Sequence, residues 1–340
     1  MKTDLLYFLS KYLNHYLPIS AGVSENTIKA YSDTFRLLFQ FAKEKHKLKP
    51  NKIDLEMINK KFLLDFSRWI VKTRKCSDTT KNLRMSNIKA FFSYIQSEVP
   101  GLSLHAQTIL QIPKTKEHRK IIEYISSEGM KLILQQPNTN TLIGKKHLTI
   151  LSFMYATAAR VQETIDVTMS DFKFNNSDSI KLVGKGNKAR LVPLEHDMIV
   201  LLQRYIEHEQ NTRSIYSQDD PLFLNPSGKK FTRQGITYII KKYSNMAQEQ
   251  NPKMIPKNVH PHTFRHSRAM ALLQAGVELI YIRDFLGHYS VTTTEVYARA
   301  NNEMTRKALL KVTPITNSTD IPVWQKDKNL LKYLKDLSGS

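Results

Sequence analysis

One β-hairpin pattern stands out in a chain otherwise patterned for helices. Residues 179–194 read SIKLVGKGNKARLVPL. Apolar and polar residues alternate on both sides of GKGN, which is a tight-turn signal between two strands. Elsewhere the apolar residues recur every three or four positions, which is the spacing of an amphipathic helix. These patterns together predict a mainly α fold with a small β-sheet.

Residues 1 to about 110 are patterned as a helical unit. Ser24 is suited to cap a helix over SENTIKAYSDTFRLLFQFAKEK, and Glu25 favours its first turn. Amphipathic stretches over 55–71 and 79–95 predict two more helices. Residues 1–110 hold 18 Lys and Arg against 9 Asp and Glu. This surplus fits a small helical domain that lies against phosphates.

Residues 99–120, VPGLSLHAQTILQIPKTKEHRK, contain two prolines, a glycine and a run of charges. This composition predicts a linker that ends near residue 118. We therefore predict one domain over 1–112, a second over 119–312, and a tail over 313–340.

In the second domain, Ser126 is suited to cap a helix that reaches Gln135. The next predicted helix contains LTILSFMYATAARVQET, and helices resume from Asp197 after the hairpin. The tail carries an apolar stripe that could dock on the same chain or on a neighbouring protomer, formed by Leu330, Leu331, Leu334 and Leu337.

The charge of the chain points to a polyanionic partner. A globular chain of 340 residues, 41% of them hydrophobic, carries a formal net charge of +21. A generally basic, solvated surface would give the same number, but nucleic acid is the favoured interpretation. The single cysteine excludes an intramolecular disulfide and a cysteine-rich zinc site. No signal peptide or membrane-spanning run is present, so we expect a reducing bacterial cytoplasm, at the nucleoid.

The last third of the chain places four reactive residues in order. His262 and Arg265 lie in HPHTFRH, His288 lies in LGH, and Tyr297 lies in TTTEVYAR. A tyrosine hydroxyl ionises near pH ~10, so it is a poor nucleophile at neutral pH unless cations and a proton acceptor surround it. The pattern predicts an exposed tyrosine that attacks a DNA phosphate.

Four blocks in order resemble the tyrosine recombinases, also called the phage integrase family. They are ATAARVQET, VGKGNKARLVPL, HPHTFRHSRAMALLQAG and LGHYSVTTTEVYARA, and the resemblance covers roughly residues 20–311. It implies a two-domain DNA clamp, with a helical, SAM-like core-binding domain over 1–112 and an α+β catalytic domain over 119–312. There is little room before residue 20 for an arm-binding domain, which favours the simple type of recombinase without one.

The resemblance assigns the catalytic roles. Arg160 and Arg265 would hold the scissile phosphate, since each guanidinium offers two parallel N–H groups to phosphate oxygens. Lys185, at the hairpin tip, would protonate the departing 5′ oxygen. His288 would hydrogen-bond the phosphate, and Tyr297 would be the nucleophile.

Other positions have supporting roles. His262 is the candidate acceptor of the tyrosine proton, and Glu163 either orients Arg160 or a histidine or forms an ordinary helix ion pair. Ala158 and Ala159 replace the Gly-Leu of the usual TGLR block, which bears on the local start of the helix. The candidate DNA contacts are Lys81, Arg84, Lys89, Lys188 and Arg190.

A zinc site made by His260, His262 and His266 is the alternative for the histidine cluster. It is disfavoured because Arg265 would sit as a cation among the ligands. We expect His266 to be buried and hydrogen-bonded, and we expect no metal or other cofactor.

The resemblance implies a recombinase that cuts and rejoins double-stranded DNA without ATP or metal. The reaction would pass through a 3′-phosphotyrosyl intermediate and a Holliday junction, with a homotetramer on two DNA sites. We expect integration or excision of a mobile element. Chromosome dimer resolution, a type IB topoisomerase and a DNA-binding protein without catalysis are the alternatives.

Overall fold

A computed structural model describes residues 4–116, 123–173, 178–184, 186–212, 217–288, 290, 294 and 297. Packing separates the chain into two compact units that divide after Lys120. The stripe predicted in the tail lies outside the described residues. Among the described helices, none has the length and apolar character needed to cross a membrane.

The first unit is helical, as predicted. Its α-helices are α1 (Leu5–Lys11), α2 (Glu25–His46), α3 (Lys60–Lys72), α4 (Asp78–Glu98) and α5 (Ser103–Leu110). A π-helical stretch, Tyr12–Ser20, follows α1, and 3-10 turns cover Pro50–Lys52, Leu55–Met57 and Pro100–Leu102. Ser24 is the residue that precedes α2. The core is strongly aromatic, and Phe35, Phe66 and Phe91 are almost completely buried.

The segment predicted as a linker is largely part of this first unit. It contains α5, whose Ala106 and Ile109 are completely buried. Its prolines and glycine lie before and after the helix, so they mark the ends of an element rather than an open connection. After the helix, the Thr115 backbone is held by the side chain of Asn82. Asn82 Nδ2 donates to the Thr115 carbonyl at 2.9 Å, and its Oδ1 accepts from the Thr115 amide at 3.0 Å.

Lys89 is engaged inside the first unit. Its Nζ donates to the carbonyl of Leu110 at 2.8 Å and to that of Ile112. Burial, and then the charge of Lys114, lowers the pKa of Lys89. This placement differs from the predicted DNA contact, because carbonyls at the end of α5 already hold the ammonium group.

We expect Lys89→Met to lower the free energy of unfolding by about 1–3 kcal/mol, because two carbonyls lose a charged donor. Urea denaturation would measure this loss. Lys43→Met, on an exposed position of α2, is the matched control and should change stability by less than about 0.5 kcal/mol. A loss of DNA affinity with unchanged stability would instead restore Lys89 as a DNA contact.

The second unit combines helices with a small antiparallel sheet. The helices are α6 (Ser127–Leu134), α7 (Leu142–Ala156), α8 (Val161–Asp166), α9 (His196–Thr212), α10 (Arg233–Gln250), α11 (Pro261–Gln274) and α12 (Leu279–Leu286). The strands are β1 (Phe172–Lys173), β2 (Ser179–Val183) and β3 (Ala189–Pro193), in the order β1-β2-β3. The predicted hairpin is confirmed, with Ser179 opposite Pro193 and Val183 opposite Ala189. Ser126 caps α6 by accepting a hydrogen bond from the Gly129 amide.

Candidate active site

The candidate site begins at a break between two helices. The sequence predicted one helix through LTILSFMYATAARVQET, but α7 ends at Ala156 and α8 begins at Val161. Ala158, in the break, is completely buried and has a left-handed φ of 48°. That conformation costs a residue with a Cβ about 1–2 kcal/mol. Ala158 therefore adopts a backbone conformation that glycine would adopt more easily. Arg160, two residues later, is the N-cap of α8.

Glu163 is the buried carboxylate of the site, with a side chain that is 2% exposed. Arg160 donates its backbone N–H to Oε2 and its Nη1–H to Oε1, both at 2.8 Å. Arg190 donates to both carboxylate oxygens from β3. Burial raises the pKa of Glu163, but the hydrogen bonds and charge of Arg190 and the hydrogen bonds of Arg160 outweigh it and hold the pKa at about 2. Glu163 is therefore ionised and orients both arginines.

Three arginines from other parts of the chain donate hydrogen bonds to carbonyls at the C-terminal end of α12. Its carbonyls accept from Arg190 Nε at Phe285 (2.9 Å), from Arg265 Nη2 at Leu286, and from Arg160 Nη2 at Gly287 (3.4 Å). The last carbonyls of a helix lack partners within it and carry the negative end of its dipole, so cations are stable there. This helix end therefore sets the relative positions of three guanidinium groups.

The arginines make the site strongly positive. Arg265 is 3% exposed, and its Nη1 donates to the Ala158 carbonyl at 2.7 Å. Burial, and then the charges of Arg160 and Arg190, lowers the pKa of Arg265 to about 9, so it stays protonated at neutral pH. The negatively charged carboxylate of Glu163 contacts two of these three guanidinium groups, those of Arg160 and Arg190. This arrangement favours binding of an anion. Arg160 can contact that anion, because 32% of its side chain is exposed.

Tyr297 is buried, whereas its motif predicted an exposed side chain. Only 2% of the residue is accessible, and it packs in an apolar cluster with Ala158, Met270 and Ile282. Its hydroxyl lies 2.8 Å from Nδ1 of His266. Burial raises the pKa of the phenol, while the charges of Arg265 and Arg160 lower it. The nucleophile candidate therefore lies beside the arginines, but it is covered.

Two histidines, His266 and His288, lie beside Tyr297. Burial, followed by the neighbouring His262, His260 and Arg265, lowers the pKa of His266 to about 4, so its neutral ring can accept the phenolic hydrogen bond. The His288 ring lies nearly parallel to that of Tyr297, at 6.5 Å between centroids. Its Nδ1 is 3.1 Å from the Thr294 hydroxyl, and burial and the arginines lower its pKa to about 4.

His262 is exposed at the start of α11. The ring is nevertheless partly buried, and this partial burial, followed by the charges of His260, Arg265 and Arg160, lowers its pKa. It was predicted to accept the phenolic proton, but here His266 makes the hydrogen bond with Tyr297. Within the part of the chain that the structure describes, no group of three His, Cys, Asp or Glu is placed to hold a metal ion.

The predicted DNA contacts divide into several kinds. Lys188 is exposed beside the hairpin turn, whereas Lys185, which was predicted as the catalytic acid, lies outside the described residues. Arg190 differs from its prediction, because its guanidinium is held by Glu163 and α12. In the first unit, Lys81 pairs with Asp78 at 2.6 Å, and Arg84 is half-buried.

Sequence comparison decides the family. Residues 123–304 match the Phage integrase family, and residues 9–98 match the Phage integrase N-terminal SAM-like domain. The chain belongs to the phage integrase family. It is 30% identical over 307 residues to the tyrosine recombinase XerD of Staphylococcus epidermidis, covering 90% of this chain and 98% of that protein. It is a DNA recombinase of the tyrosine class.

Two further comparisons extend over most of this recombinase. It is 29% identical over 314 residues to the integrase/recombinase y4rC of Sinorhizobium fredii, covering 92% of each chain. The solved structure of the XerH site-specific recombinase bound to palindromic difH substrate has a TM-score of 0.69 at 21% identity. That match covers 88% of this chain and 83% of the XerH chain, and it shows a shared fold.

Two features of the recombinase site could not be identified from its motifs. The contact between His266 and Tyr297 joins residues 31 positions apart, so the sequence predicted a hydrogen bond for His266 but not its partner. Arg190 resembles any lysine or arginine near a hairpin turn, and nothing local indicates that Glu163 lies opposite it.

Proposed function

We propose that this recombinase cuts and rejoins double-stranded DNA at specific sites through Tyr297, as the enzyme of a mobile element. The supporting observation is the environment of one phenolic oxygen. The Tyr297 hydroxyl is hydrogen-bonded to His266, and the charges of Arg265 and Arg160 act directly on it. Cations fixed before the substrate arrives stabilise charge that develops on a phosphate in the transition state.

In the proposed reaction, Arg160 and Arg265 bind the non-bridging oxygens of one phosphodiester. The Tyr297 oxygen attacks phosphorus in line with the bond to the 5′ oxygen, and that bond breaks. Lys185 gives a proton to the 5′ oxygen, and His262, kept neutral by its lowered pKa, takes the proton of the phenol. A 3′-phosphotyrosyl link and a free 5′ hydroxyl result. A 5′ hydroxyl of a second duplex then reverses these steps and restores the tyrosine.

The contact with His266 belongs to the resting state. In this contact the phenol is 2% exposed and packs in an apolar cluster, so a DNA phosphate cannot reach its oxygen there. The hydrogen bond therefore holds Tyr297 in its buried position. To reach a phosphate, the phenol has to leave both His266 and the apolar cluster around it.

We expect His266→Phe to speed adduct formation on a single DNA site by about fivefold or more, because the buried phenol loses a hydrogen bond worth about 1 kcal/mol. Phenylalanine keeps the ring but has no acceptor. The measurement is the rate at which a denaturation-resistant protein–DNA adduct appears. A slower rate would instead identify His266 as an acceptor of the phenolic proton during the reaction.

The test of the function uses duplexes from the DNA flanking the reading frame, each nicked near the cleavage point. Loss of the short 5′-hydroxyl strand then prevents religation and traps the covalent intermediate. We expect an adduct whose DNA-bearing peptide, identified by mass spectrometry, contains Tyr297. An adduct at another residue would refute the assignment. Relaxation of supercoiled DNA without any recombinant product would indicate a topoisomerase.

We further propose that residues 1–112 form a core-binding domain and residues 119–312 a catalytic domain, with four protomers on two DNA sites at the bacterial nucleoid. The match of residues 9–98 to the family's N-terminal domain supports the first assignment. Light scattering of the complex with two sites should give the mass of four chains. A complex that stays at two chains per site pair would contradict the tetramer.

The mobile-element role has support from the integrase/recombinase name of the Sinorhizobium fredii relative. An element that moves leaves a circular junction and an empty chromosomal site, both of which amplification across the ends would detect. Recombination only between sites on a dimeric chromosome would show chromosome dimer resolution instead.

A further inference from the structure

Arg190 lies on β3 among groups of the protein itself, with 9% of its side chain exposed. Its Nε donates to the Phe285 carbonyl at 2.9 Å, and its two Nη atoms donate to Glu163 at 2.9 and 2.8 Å. We propose that Arg190 is a positioning residue, which sets Arg160 for the phosphate by holding the Glu163 carboxylate that both arginines share. This inference rests on the proposed function.

The carboxylate of Glu163 is divided evenly between the two arginines. Oε1 accepts from Nη1 of Arg160 and from Nη1 of Arg190, and Oε2 accepts from the Arg160 backbone and from Nη2 of Arg190. Removing Arg190 would leave a buried carboxylate with half of its donors. Burial would then favour its protonated form, and the Arg160 guanidinium would lose its fixed anionic partner.

Two glycines show how closely this cluster is packed. A Cβ at Gly184 would lie 3.1 Å from Oε1 of Glu163 and 3.4 Å from Nη1 of Arg160. A Cβ at Gly287 would lie 3.0 Å from Cδ of Arg190, and Gly287 has a left-handed φ of 62°. The hairpin and the end of α12 therefore lie in close contact with the cluster, so a shift of Arg190 would also displace its neighbours.

Arg190 also connects the sheet to the helix end that holds the other arginines. Its contact with Phe285 is followed along α12 by the carbonyls that accept from Arg265 and Arg160. His288 comes directly after them. One side chain on β3 thus contacts both supports of Arg160, the Glu163 carboxylate and the C-terminal end of α12.

A direct phosphate contact predicts a different set of effects. Losing such a contact weakens DNA binding and lowers the slope of log Kd against log salt by about one. A positioning residue leaves both quantities unchanged and alters the rate of cleavage. Lysine separates the two roles further, because it keeps the charge but cannot bridge both carboxylate oxygens and a carbonyl.

The experiment compares Arg190→Lys and Arg190→Met with the wild-type chain on the nicked duplex. We expect both variants to form the adduct at least about tenfold more slowly at saturating DNA, with Kd and salt slope unchanged. Arg204→Met, an exposed arginine of α9, is the matched control and should keep the wild-type rate. Absence of adduct with the wild-type chain would refute the proposed function, not the role of Arg190.

The pH profile distinguishes positioning from general loosening of the fold. In wild type, Glu163 stays ionised above pH 5, since its pKa is about 2. In Arg190→Met its pKa should rise, so the adduct rate should fall as the pH drops from 8 to about 5. Adding Glu163→Gln should remove that fall. A wild-type rate in Arg190→Lys, a smaller salt slope in Arg190→Met, or a pH profile parallel to wild type would overturn the proposal.

Discussion

Tyr297→Phe is expected to abolish the covalent adduct, with a rate reduced by at least about 10⁴-fold. The substitution removes the attacking oxygen but keeps the ring that packs beside Ala158 and Met270. DNA affinity should stay within about twofold, because binding energy comes mainly from charged contacts with the phosphates. Adduct formation on the nicked duplex and a gel-shift titration measure the two quantities separately.

Tyr281→Phe is the matched control, since it makes the same chemical change on a tyrosine of α12 that is 64% exposed. We expect it to cleave at the wild-type rate. Adduct formed by the Tyr297→Phe protein would show that another nucleophile carries the reaction. A parallel loss of DNA binding would show that Tyr297 supports the fold instead.

Arg160→Met is expected to slow adduct formation by about 10³-fold at saturating DNA, the effect of removing a fixed charge from a phosphoryl-transfer site. Arg160 is the most exposed of the three clustered arginines, so it is the one best placed to meet an incoming phosphate. Single-turnover cleavage of the nicked duplex measures the effect.

Arg204→Met again controls for loss of an arginine, and it should leave single-turnover cleavage unchanged. Glu163 keeps both donors from Arg190 in the Arg160→Met protein, so the urea midpoint should move little. A wild-type cleavage rate in Arg160→Met would remove this arginine from the site. A large fall in stability would mean that the lost rate reports unfolding.

Elements with a strong local period could be predicted from the sequence. The helices α2, α3 and α4 and the hairpin of β2 and β3 follow repeated spacings of apolar residues, and these spacings reflect which face is buried. Strand β1 has two residues, too few to show a period. The spacing of apolar residues does not show the break at Ala158, because alanine is a strong helix former and only its surroundings favour the left-handed angle.

The candidate site could be proposed from the sequence in its residue types but not in its contacts. The structure places the candidates Arg160 and Arg265 at the C-terminal end of α12, directly before His288, and packs Tyr297 in one apolar cluster with Ile282 of that helix. The motifs could not show that Tyr297 is buried or that His266 is its partner. Burial depends on segments far apart in the chain, and a motif records only its own neighbours.

The sequence by itself determined the family, the two-part organisation and the candidates for the reactive side chains, because each is recorded in local pattern and composition. Only the tertiary structure decided what each cation does. Arg190 and Arg160 carry the same charge and approach the same carboxylate, yet one is enclosed and the other is partly open to solvent. The difference arises from packing between β3, α8 and α12, where long-range neighbours determine whether a guanidinium binds the protein or a ligand.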